Sequence, residues 1–276
     1  MQAKLQRRIQ RYGWDRAVHD YEQAWKRQLE PAQTRLLEMA NLQGGEQVLD
    51  VACGTGLVTL RAARQVGPTG VVVGTDIAAR MIEQARHAAA AQQIHNVRFE
   101  RMGAEDLQLP DGIFDAALCA LGLMYVPEPV QALQEMYRTL KVGGRAVAAV
   151  WGQRARCGWA DIFPIVDKRV QSEVCPLFFL LGTQDLLARN FAQAGFKDVV
   201  TQRLSTTLDY ASPEDACGAA FAGGPVALAY SRFSAATRQE AHAEYLASLA
   251  PYRTADGYAI PGEFVVVSGR KRIGRE

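Results

Sequence analysis

The feature that most constrains the fold is a regular alternation of short, mainly apolar runs with helical patterns between residues 47 and 151. The runs predicted as strands are Gln47–Ala52, Val71–Thr75, Val97–Met102, Ile113–Ala120 and Arg145–Trp151. The helical patterns between them are Leu57–Gln65, Ala78–Ala91 and Val130–Leu140. Apolar strands that alternate with helices indicate an α/β fold, in which helices cover both faces of a mostly parallel sheet.

The first forty residues predict helix, because apolar side chains recur there at steps of three and four and so share one face. The residues of this stripe are Trp14, Val18, Tyr21, Trp25 and Leu29. Pro31 is expected to end the helix or to open a second one. Such a stripe is what a helix facing the core shows, and it is also suited to covering a ligand.

The regular alternation stops after Trp151. The elements predicted beyond it are an irregular aromatic segment at Arg154–Leu181, a helix at Asp185–Ala194, a strand at Asp198–Leu204, a helix at about Ala235–Leu249 and a strand at Glu263–Ser268. Since no Gly-, Ser- or Pro-rich linker divides the chain, we expect one elaborated domain over residues 1–276. Its predicted parts are N-terminal helices (1–43), a core (44–151), a cap segment with a helix (152–195), and two strands with a helical insertion (196–276).

Charge and cysteine content narrow the function classes. Thirty-one Lys and Arg against 29 Asp and Glu leave a net charge of +2, which does not favour a polyanionic partner such as nucleic acid. The five cysteines form no CxxC pair, and no His or Cys spacing suggests a metal site. With no secretory leader pattern at Met1–Gln10 and no apolar run long enough to span a bilayer, we expect a cytoplasmic protein.

The glycine loop in Val48–Gly56 (VLDVACGTG) is the most informative stretch. Glycines between the first strand and helix of an α/β unit let the backbone approach a ligand closely. The dinucleotide fingerprint wants a third small residue where Thr59 stands, and an acid before the loop, Asp50, is unsuited to a pyrophosphate but suited to an ammonium group. Asp76, at the end of the next strand, is placed to hold a ribose diol. S-adenosylmethionine carries both an amino-acid ammonium and a ribose.

From about Gly45 to Trp151 the sequence resembles a class I S-adenosylmethionine-dependent methyltransferase, most closely the ubiquinone/menaquinone-pathway and small-molecule group. The motifs that carry the resemblance are VLDVACGTG, VGTDI (Val73–Ile77), GAEDLQLPDGIFDAALC (Gly103–Cys119) and LKVGGRAVAAVW (Leu140–Trp151). The resemblance implies a Rossmann-like, seven-stranded sheet of order 3-2-1-4-5-7-6 with an antiparallel last strand. About fifty residues separate the predicted sixth and seventh strands, where a near-hairpin is usual.

The resemblance also implies which residues bind S-adenosylmethionine and its product S-adenosylhomocysteine. Asp50 and the loop would hold the methionine moiety, Asp76 the ribose, and Ile77 and Ala104 the adenine. An acid often stands at the position of Gly103, and whether Glu105 replaces it is left open. The full set of implied cofactor residues is Tyr21, Trp25, Asp50, Ala52, Cys53, Gly54, Gly56, Asp76, Ile77, Met81, Ala104, Glu105, Cys119 and Leu121.

The leading hypothesis is an enzyme that transfers a methyl group by in-line displacement to a small, apolar or aromatic acceptor. His19, Tyr21 and Tyr125 are the candidates for a general base, and Trp151, Trp159 and Phe163 are the candidates for an acceptor pocket. Cys53 could instead be only a small residue that fits the turn. Two alternatives stay open: a nucleic-acid methyltransferase, and a non-catalytic protein that binds S-adenosylmethionine. The sequence identifies neither the acceptor atom nor the oligomeric state.

Overall fold

The computed structural model describes residues 3–170 and 178–272; residues 171–177 of the predicted aromatic segment therefore lie outside the described residues. The strands in the described part are β1 (Gln47–Val51), β2 (Val71–Asp76), β3 (Val97–Arg101), β4 (Phe114–Ala120), β5 (Leu140–Trp151), β6 (Lys197–Tyr210), β7 (Arg253–Thr254) and β8 (Gly257–Arg270). Each of the seven predicted strands is therefore present, and one very short strand is added.

The strands form one sheet of order β3-β2-β1-β4-β5-β8-β6, and the two-residue β7 pairs with β8 beside this path. The pairs from β3 to β5 are parallel, whereas β8 runs antiparallel to both β5 and β6. With β7 set aside, this is the predicted order, and the prediction of an antiparallel last strand is confirmed.

The α-helices of the described residues are α1 (Ala3–Ala40), α2 (Leu57–Val66), α3 (Ala79–Ala91), α4 (Pro129–Thr139), α5 (Ile162–Asp167), α6 (Leu186–Gln193), α7 (Pro213–Cys217), α8 (Ala227–Tyr230) and α9 (Ala235–Ser248). A π-helical turn at Gly218–Ala222 follows α7, and single 3₁₀ turns lie at Leu123–Tyr125, Arg154–Arg156 and Ala250–Tyr252. Among these described helices, none is long and apolar enough to cross a membrane.

The N-terminal helix does not break at Pro31, so the prediction of a helix end or a second helix there is wrong. α1 continues from Ala3 to Ala40 with Pro31 inside it. Proline removes one backbone donor from a helix interior, which normally disfavours the helix. Here residues on both sides of the proline are buried, Leu29 before it and Ala32 and Leu36 after it. Tertiary packing of this face therefore keeps the helix continuous across Pro31.

The last two long strands extend well beyond their predicted apolar segments. β6 runs on to Tyr210 and β8 begins at Gly257, and the two stay paired in register from Thr201 opposite Val267 to Tyr210 opposite Tyr258. The added part of β6 contains Ser205, Thr206 and Thr207, whose polar side chains give no apolar run for a sequence pattern to detect. The insertion between the strands therefore starts further along the chain than predicted.

Two features of this fold position a ligand site. β1 lies between β2 and β4 in the sheet. The connection after β1 leads to β2 on one side of this pair of strands, and the connection after β4 leads to β5 on the other side. Ligands of open α/β sheets bind in the crevice that such a reversal opens at the carboxyl ends of the strands. α1 lies across this end of the molecule, where its Val18 packs against Ala78 and Met81 beside the start of α3.

Candidate active site

The crevice at the ends of β1 and β4 is lined by two backbone segments that approach each other closely, one after each strand. Ala52 and Leu121, the residues that follow these two strands, have positive φ angles of 57° and 61°. A Cβ atom built on Gly122 would lie only 2.4 Å from the Cβ of Ala52, so this position requires glycine. Residues with side chains rarely adopt positive φ, and such strain clusters at functional sites.

The glycine loop turns between β1 and α2 with the amide of Gly54 directed toward the carboxylate of Asp76. Gly54 and Gly56 have φ angles of 55° and 86°. The backbone N–H of Gly54 donates a 2.9 Å hydrogen bond to Asp76 Oδ2, and the N–H of Ala78 donates a 2.8 Å bond to Asp76 Oδ1. Burial raises the pKa of Asp76 to about 6, against the effect of these backbone hydrogen bonds.

Asp50 is the second buried carboxylate of the crevice and is incompletely paired. Thr59 Oγ1 donates a 2.5 Å hydrogen bond to Asp50 Oδ2. Asp50 Oδ1 is buried and has no hydrogen-bond partner among the described residues. Burial raises the pKa of Asp50 to about 7, and the negative charge of Asp76 raises it further while Thr59 opposes the shift. A cationic ligand group beside Oδ1 would satisfy it and favour its charged form.

A large cavity of about 760 Å³, its open mouth included, extends from the loop toward the end of β3. Its lining residues are Arg7, Gln10, Trp14, Tyr21, Ala52, Gly54, Asp76, Ile77, Met81, Met102, Gly103, Ala104, Glu105, Ala120, Leu121, Gly122, Tyr125, Val126 and Pro127. Ile77, Met81 and Met102 make one end of it apolar, as a flat heterocyclic ring requires. A smaller loop cavity of about 280 Å³, its opening to solvent included, is lined by Tyr21, Gln33, Asp50, Ala52, Cys53, Gly54, Leu57, Val58 and Ala120.

The N-terminal helix is fastened over the large cavity by polar contacts. Arg7 donates two hydrogen bonds to the Glu105 carboxylate, from Nε at 2.6 Å and from Nη2 at 3.1 Å. The backbone N–H of Glu128 donates a third bond to Glu105, at 3.1 Å. Further along α1, Asp15 accepts a 2.9 Å bond from the backbone N–H of Arg80. Glu105 lines the cavity, but its carboxylate is already committed to Arg7 and Glu128.

A third space, the aromatic pocket, also borders Tyr21 and comprises about 320 Å³ when its opening to solvent is included. Its lining residues are Trp14, Tyr21, Trp25, Leu29, Leu121, Met124, Tyr125, Trp151, Trp159, Phe178, Gly224 and Pro225. The rings meet one another edge to face: Trp151 and Trp159 at 4.8 Å between centroids, Trp14 and Tyr125 at 5.1 Å. Gly224 and Pro225 belong to the insertion between β6 and β8, which therefore forms part of the pocket wall.

Tyr21 is the residue that the three spaces have in common. Burial raises the pKa of its hydroxyl well above the usual range, and the negative charge of Asp76 adds to this shift. The phenol is therefore neutral at physiological pH and can donate or accept a hydrogen bond, but it is a poor base. Leu121 and Tyr125 also separate the large cavity from the aromatic pocket.

Several residues predicted for the site lie elsewhere. His19 is exposed on α1 and lines none of the three spaces, so the structure does not support it as a general base. Cys119 is fully buried behind the floor that Ala120 and Leu121 form, and burial raises its pKa to about 12. Gly56 turns the loop but packs toward Ala85 and Phe99 instead of lining a cavity.

Three other predicted residues are close to the site in unexpected roles. Trp25 lines the aromatic pocket and not the large cavity. Phe163 stands behind the pocket wall, where its ring packs at a tilt against Phe178, with centroids 4.8 Å apart, and against Trp159, with centroids 5.9 Å apart. Cys53 reaches the loop cavity, but its side chain belongs to an apolar cluster with Leu60, Ile82, Ala85, Ala89 and Phe99, and burial raises the pKa of its thiol.

Gln33, Arg7 and Gln10 are site residues that the sequence did not indicate. Gln33 is 5% exposed and lines the loop cavity together with Asp50, so its amide can reach the same ligand group. Gln10 and Gln33 are polar residues on the buried face of α1, where a polar residue usually has a bonding role, whereas the Arg7 side chain is 40% exposed. The signal in the sequence that could have indicated the two glutamines is that glutamine repeatedly interrupts the apolar face of α1.

Comparison with known proteins agrees with this geometry. Residues 48–144 match a family model described as a methyltransferase domain. A demethylmenaquinone methyltransferase of a Geobacillus species (strain WCH70) is 30% identical over 177 residues, which cover 59% of this chain and 76% of that protein. This chain belongs to the class I S-adenosylmethionine-dependent methyltransferases.

Two further comparisons define how far the methyltransferase likeness extends. A demethylmenaquinone methyltransferase of Listeria monocytogenes (serotype 4a, strain HCC23) is 35% identical over 127 residues, and this chain spans only about half of it, 54%. That alignment covers 46% of the present chain. The structure of phosphoethanolamine N-methyltransferase 2 of Haemonchus contortus superposes with a TM-score of 0.61 at 15% identity, covering 94% of this chain and 58% of that one. The latter likeness shows a shared methyltransferase fold.

The residues at the site fit the cofactor of this methyltransferase family. The unpaired Asp50 Oδ1 and the amide of Gln33 could hold the ammonium and carboxylate of its methionine part. Asp76 could accept hydrogen bonds from a ribose diol with the lone pairs that Gly54 and Ala78 leave free. The apolar end of the large cavity could enclose the adenine ring.

Proposed function

We propose that the protein transfers a methyl group from S-adenosylmethionine to a small aromatic acceptor of quinone or phenol type. The observation that carries this proposal is the contact between two unlike compartments. The large cavity with its loop extension is lined by the cofactor motifs, and the aromatic pocket adjoins it across Trp14, Tyr21, Leu121 and Tyr125. A ligand in each compartment would place its end at these four shared residues.

The proposed cofactor residues act on different parts of the molecule. Asp50 orients the amino-acid end, because its buried carboxylate is stabilised by a positive group. Asp76 holds the ribose, and its bonds to Gly54 and Ala78 keep the carboxylate in one orientation. When bound, S-adenosylmethionine supplies an electrophilic methyl group on a sulfonium ion.

The protein's part in the transfer is alignment and exclusion of water. Since the methyl donor is already activated, a fixed line of approach supplies much of the rate acceleration. α1 covers the junction of the compartments, and its Trp14 and Tyr21 rings lie 5.7 Å apart in an edge-to-face contact. These rings would help to exclude water from the junction when the cofactor is bound.

Two tyrosines, Tyr21 and Tyr125, orient the acceptor in this proposal. The raised pKa of Tyr21 makes its hydroxyl a hydrogen-bond donor and not a base. Tyr125 faces both compartments and packs its ring on Phe178 at 5.4 Å. The acceptor therefore has to be nucleophilic without a strong side-chain base, which an electron-rich phenol or hydroquinone ring satisfies.

The composition of the aromatic pocket supports the choice of acceptor class. Its described lining residues contain no Asp, Glu, Lys, Arg or His, so a neutral, flat, apolar compound is favoured over a sugar or a nucleotide. The relatives from Geobacillus and Listeria carry the name demethylmenaquinone methyltransferase, which fits a ring of this kind.

The test is a panel of acceptors incubated with the purified protein and S-adenosylmethionine, with release of S-adenosylhomocysteine as the readout. We expect turnover with a naphthohydroquinone or a catechol and none with an aliphatic amine or an oligonucleotide. Asp50→Asn is the matched control, since it should abolish release at cofactor concentrations that saturate the wild type. Cofactor binding without release for any acceptor would overturn the proposal in favour of a non-catalytic binding protein.

A further inference from the structure

Two indole N–H groups of the aromatic pocket lack a hydrogen-bond acceptor among the described residues. Trp25 and Trp159 both line the pocket, and the Nε1 atom of each is buried without a partner there. The two side chains are 5% and 2% exposed. Native structures almost always pair buried donors, so two of them in one pocket point to a ligand that accepts hydrogen bonds.

The two tryptophans come from segments far apart in the chain, and both line the pocket. Trp25 lies on α1 and Trp159 lies between β5 and α5, and their rings pack with centroids 5.7 Å apart. A Cβ atom built on Gly224 would lie 3.6 Å from Trp25 Nε1. Because Gly224 itself lines the pocket, this indole donor stands at the pocket wall.

The surroundings of the two donors select the chemistry of their partner. An aromatic cage can bind a cation, but recognition of a cation is weakened by N–H groups that present positive charge. The pocket also has no carboxylate among its described lining residues to balance an ammonium group. A carbonyl or phenolate oxygen accepts two hydrogen bonds with its lone pairs, and the rest of its ring can pack against the cage.

We infer that Trp25 and Trp159 determine acceptor specificity by donating their indole N–H groups to one oxygen of a flat, apolar ring. The inference rests on the proposed function only in treating the aromatic pocket as the acceptor site. A pocket built to hydrogen-bond a substrate oxygen rejects the analogue that lacks it, because the buried donors are then left unpaired. The Nε1 atom of Trp151 is not among the unpaired buried atoms, so this ring is not assigned as a donor to the acceptor.

The test compares the binding of 1-tetralone, which has one carbonyl and no donor, with that of tetralin, which has the same ring skeleton without oxygen. We expect 1-tetralone to bind roughly 10-fold more tightly to the wild-type protein. Trp25→Phe and Trp159→Phe keep a ring but remove the donor, so each should reduce this preference several-fold. Trp151→Phe is the matched control and should weaken both compounds while leaving their ratio unchanged.

Nuclear magnetic resonance of the wild-type protein gives a readout that does not depend on the variants folding. Among the four indole N–H signals, those of Trp25 and Trp159 should move downfield with 1-tetralone and not with tetralin. Equal affinities for the two compounds, or unmoved Trp25 and Trp159 signals in the presence of bound 1-tetralone, would overturn the inference. Tighter binding of the ammonium compound 2-aminotetralin than of 1-tetralone would overturn it as well.

Failure of the proposed function and failure of this inference are distinguishable. Titrations with 1-tetralone are made both with and without S-adenosylhomocysteine, whose own binding is measured separately by calorimetry. If S-adenosylhomocysteine does not bind, the proposed function fails, while the 1-tetralone preference and the indole shifts still decide the role of Trp25 and Trp159. If it binds and the preference is absent, only the inference about the indoles fails.

Discussion

Thr59 donates a 2.5 Å hydrogen bond to Asp50, and it is the residue that breaks the dinucleotide-binding pattern. A dinucleotide-binding chain would have glycine or alanine at this position of α2. Here the hydroxyl holds one carboxylate oxygen, which leaves the other buried and without a partner in the described chain. The side chain of Thr59 thus disfavours dinucleotide binding and orients Asp50, the acid that suits a cofactor with an ammonium group.

Asp50→Asn should stabilise the ligand-free protein at alkaline pH. The folded-state pKa of Asp50, about 7, lies above the ordinary value near 4, so the stability linked to its protonation is present at low pH and lost as the pH rises through 7. Asparagine carries no charge and can still accept the bond from Thr59. We expect the melting temperature of Asp50→Asn to exceed that of the wild type at pH 8, by roughly 2–4 °C for each kcal/mol gained in the free energy of unfolding. The two proteins should differ little at pH 4.

Differential scanning calorimetry across this pH range checks the expectation. Asp106→Asn, at an exposed position, is the control for removing one surface charge. Parallel stability curves for Asp50→Asn and the wild type would show that the pKa of Asp50 does not differ between the folded and unfolded protein, and would contradict the expectation.

The roles of Asp50 and Asp76 should be separable with adenosine, which has the ribose and adenine of the cofactor but no amino-acid part. Asp76→Ala should weaken S-adenosylhomocysteine and adenosine alike, by about 1.5–3 kcal/mol, because hydrogen bonds to a charged group are lost. Asp50→Asn should weaken S-adenosylhomocysteine and leave adenosine unchanged. Calorimetric titrations of folded variants decide the matter, and an unchanged affinity of Asp76→Ala for both ligands would contradict the assignment.

The affinity for S-adenosylhomocysteine should fall as the pH drops below 7. Asp50 then takes up a proton in the free protein, and Asp76 does so below about 6. Since the ligand's ammonium favours the charged carboxylate, binding must expel the proton, and the dissociation constant should rise by up to about tenfold per pH unit. Titrations in buffers of different ionisation enthalpy would detect the released proton. A pH-independent affinity between 5.5 and 7 would contradict this expectation.

Arg7→Ala should loosen the N-terminal helix over the large cavity. It leaves the Glu105 carboxylate, 6% exposed, with only the backbone bond from Glu128. We expect a loss of about 1–3 kcal/mol in stability, as for a buried group left unpaired, and faster release of S-adenosylhomocysteine. The double variant Arg7→Ala/Glu105→Gln should regain part of the stability. Stopped-flow displacement and thermal unfolding measure both effects, with the exposed Arg8→Ala as control; equal release rates in all variants would rule out a fastening role.

Cys53→Ala should retain most of the activity. Its thiol lies in the apolar cluster between α2 and α3, and its raised pKa keeps it protonated, so it is not a nucleophile. The expected cost is confined to stability, because a buried side chain becomes smaller. Initial rates of S-adenosylhomocysteine release test this. Complete loss of activity in a variant of normal stability would restore a role for the thiol.

The parts of the site that the sequence predicted are those built within one strand, turn and helix. Asp50, Gly54 and Asp76 are placed by the ends of β1 and β2, and the parallel pairing of these strands brings their carboxyl ends to one edge. Such motifs can be recognised in a sequence because the positions of their side chains depend on neighbouring residues and on the order of the strands. The alternation predicted a mostly parallel sheet, whereas the strand order was implied by the resemblance to the methyltransferase family.

The aromatic pocket depended instead on contacts between distant segments. Trp25, Trp159 and Gly224 lie on α1, after β5 and in the β6–β8 insertion, and each is an ordinary core residue in its local sequence. His19 and Trp25 stand on the same helix, but packing exposes one and buries the other. The sequence thus determined the sheet and its cofactor loop through local pattern. Only the tertiary structure decided which rings and donors meet, because side-chain burial depends on how separate elements pack.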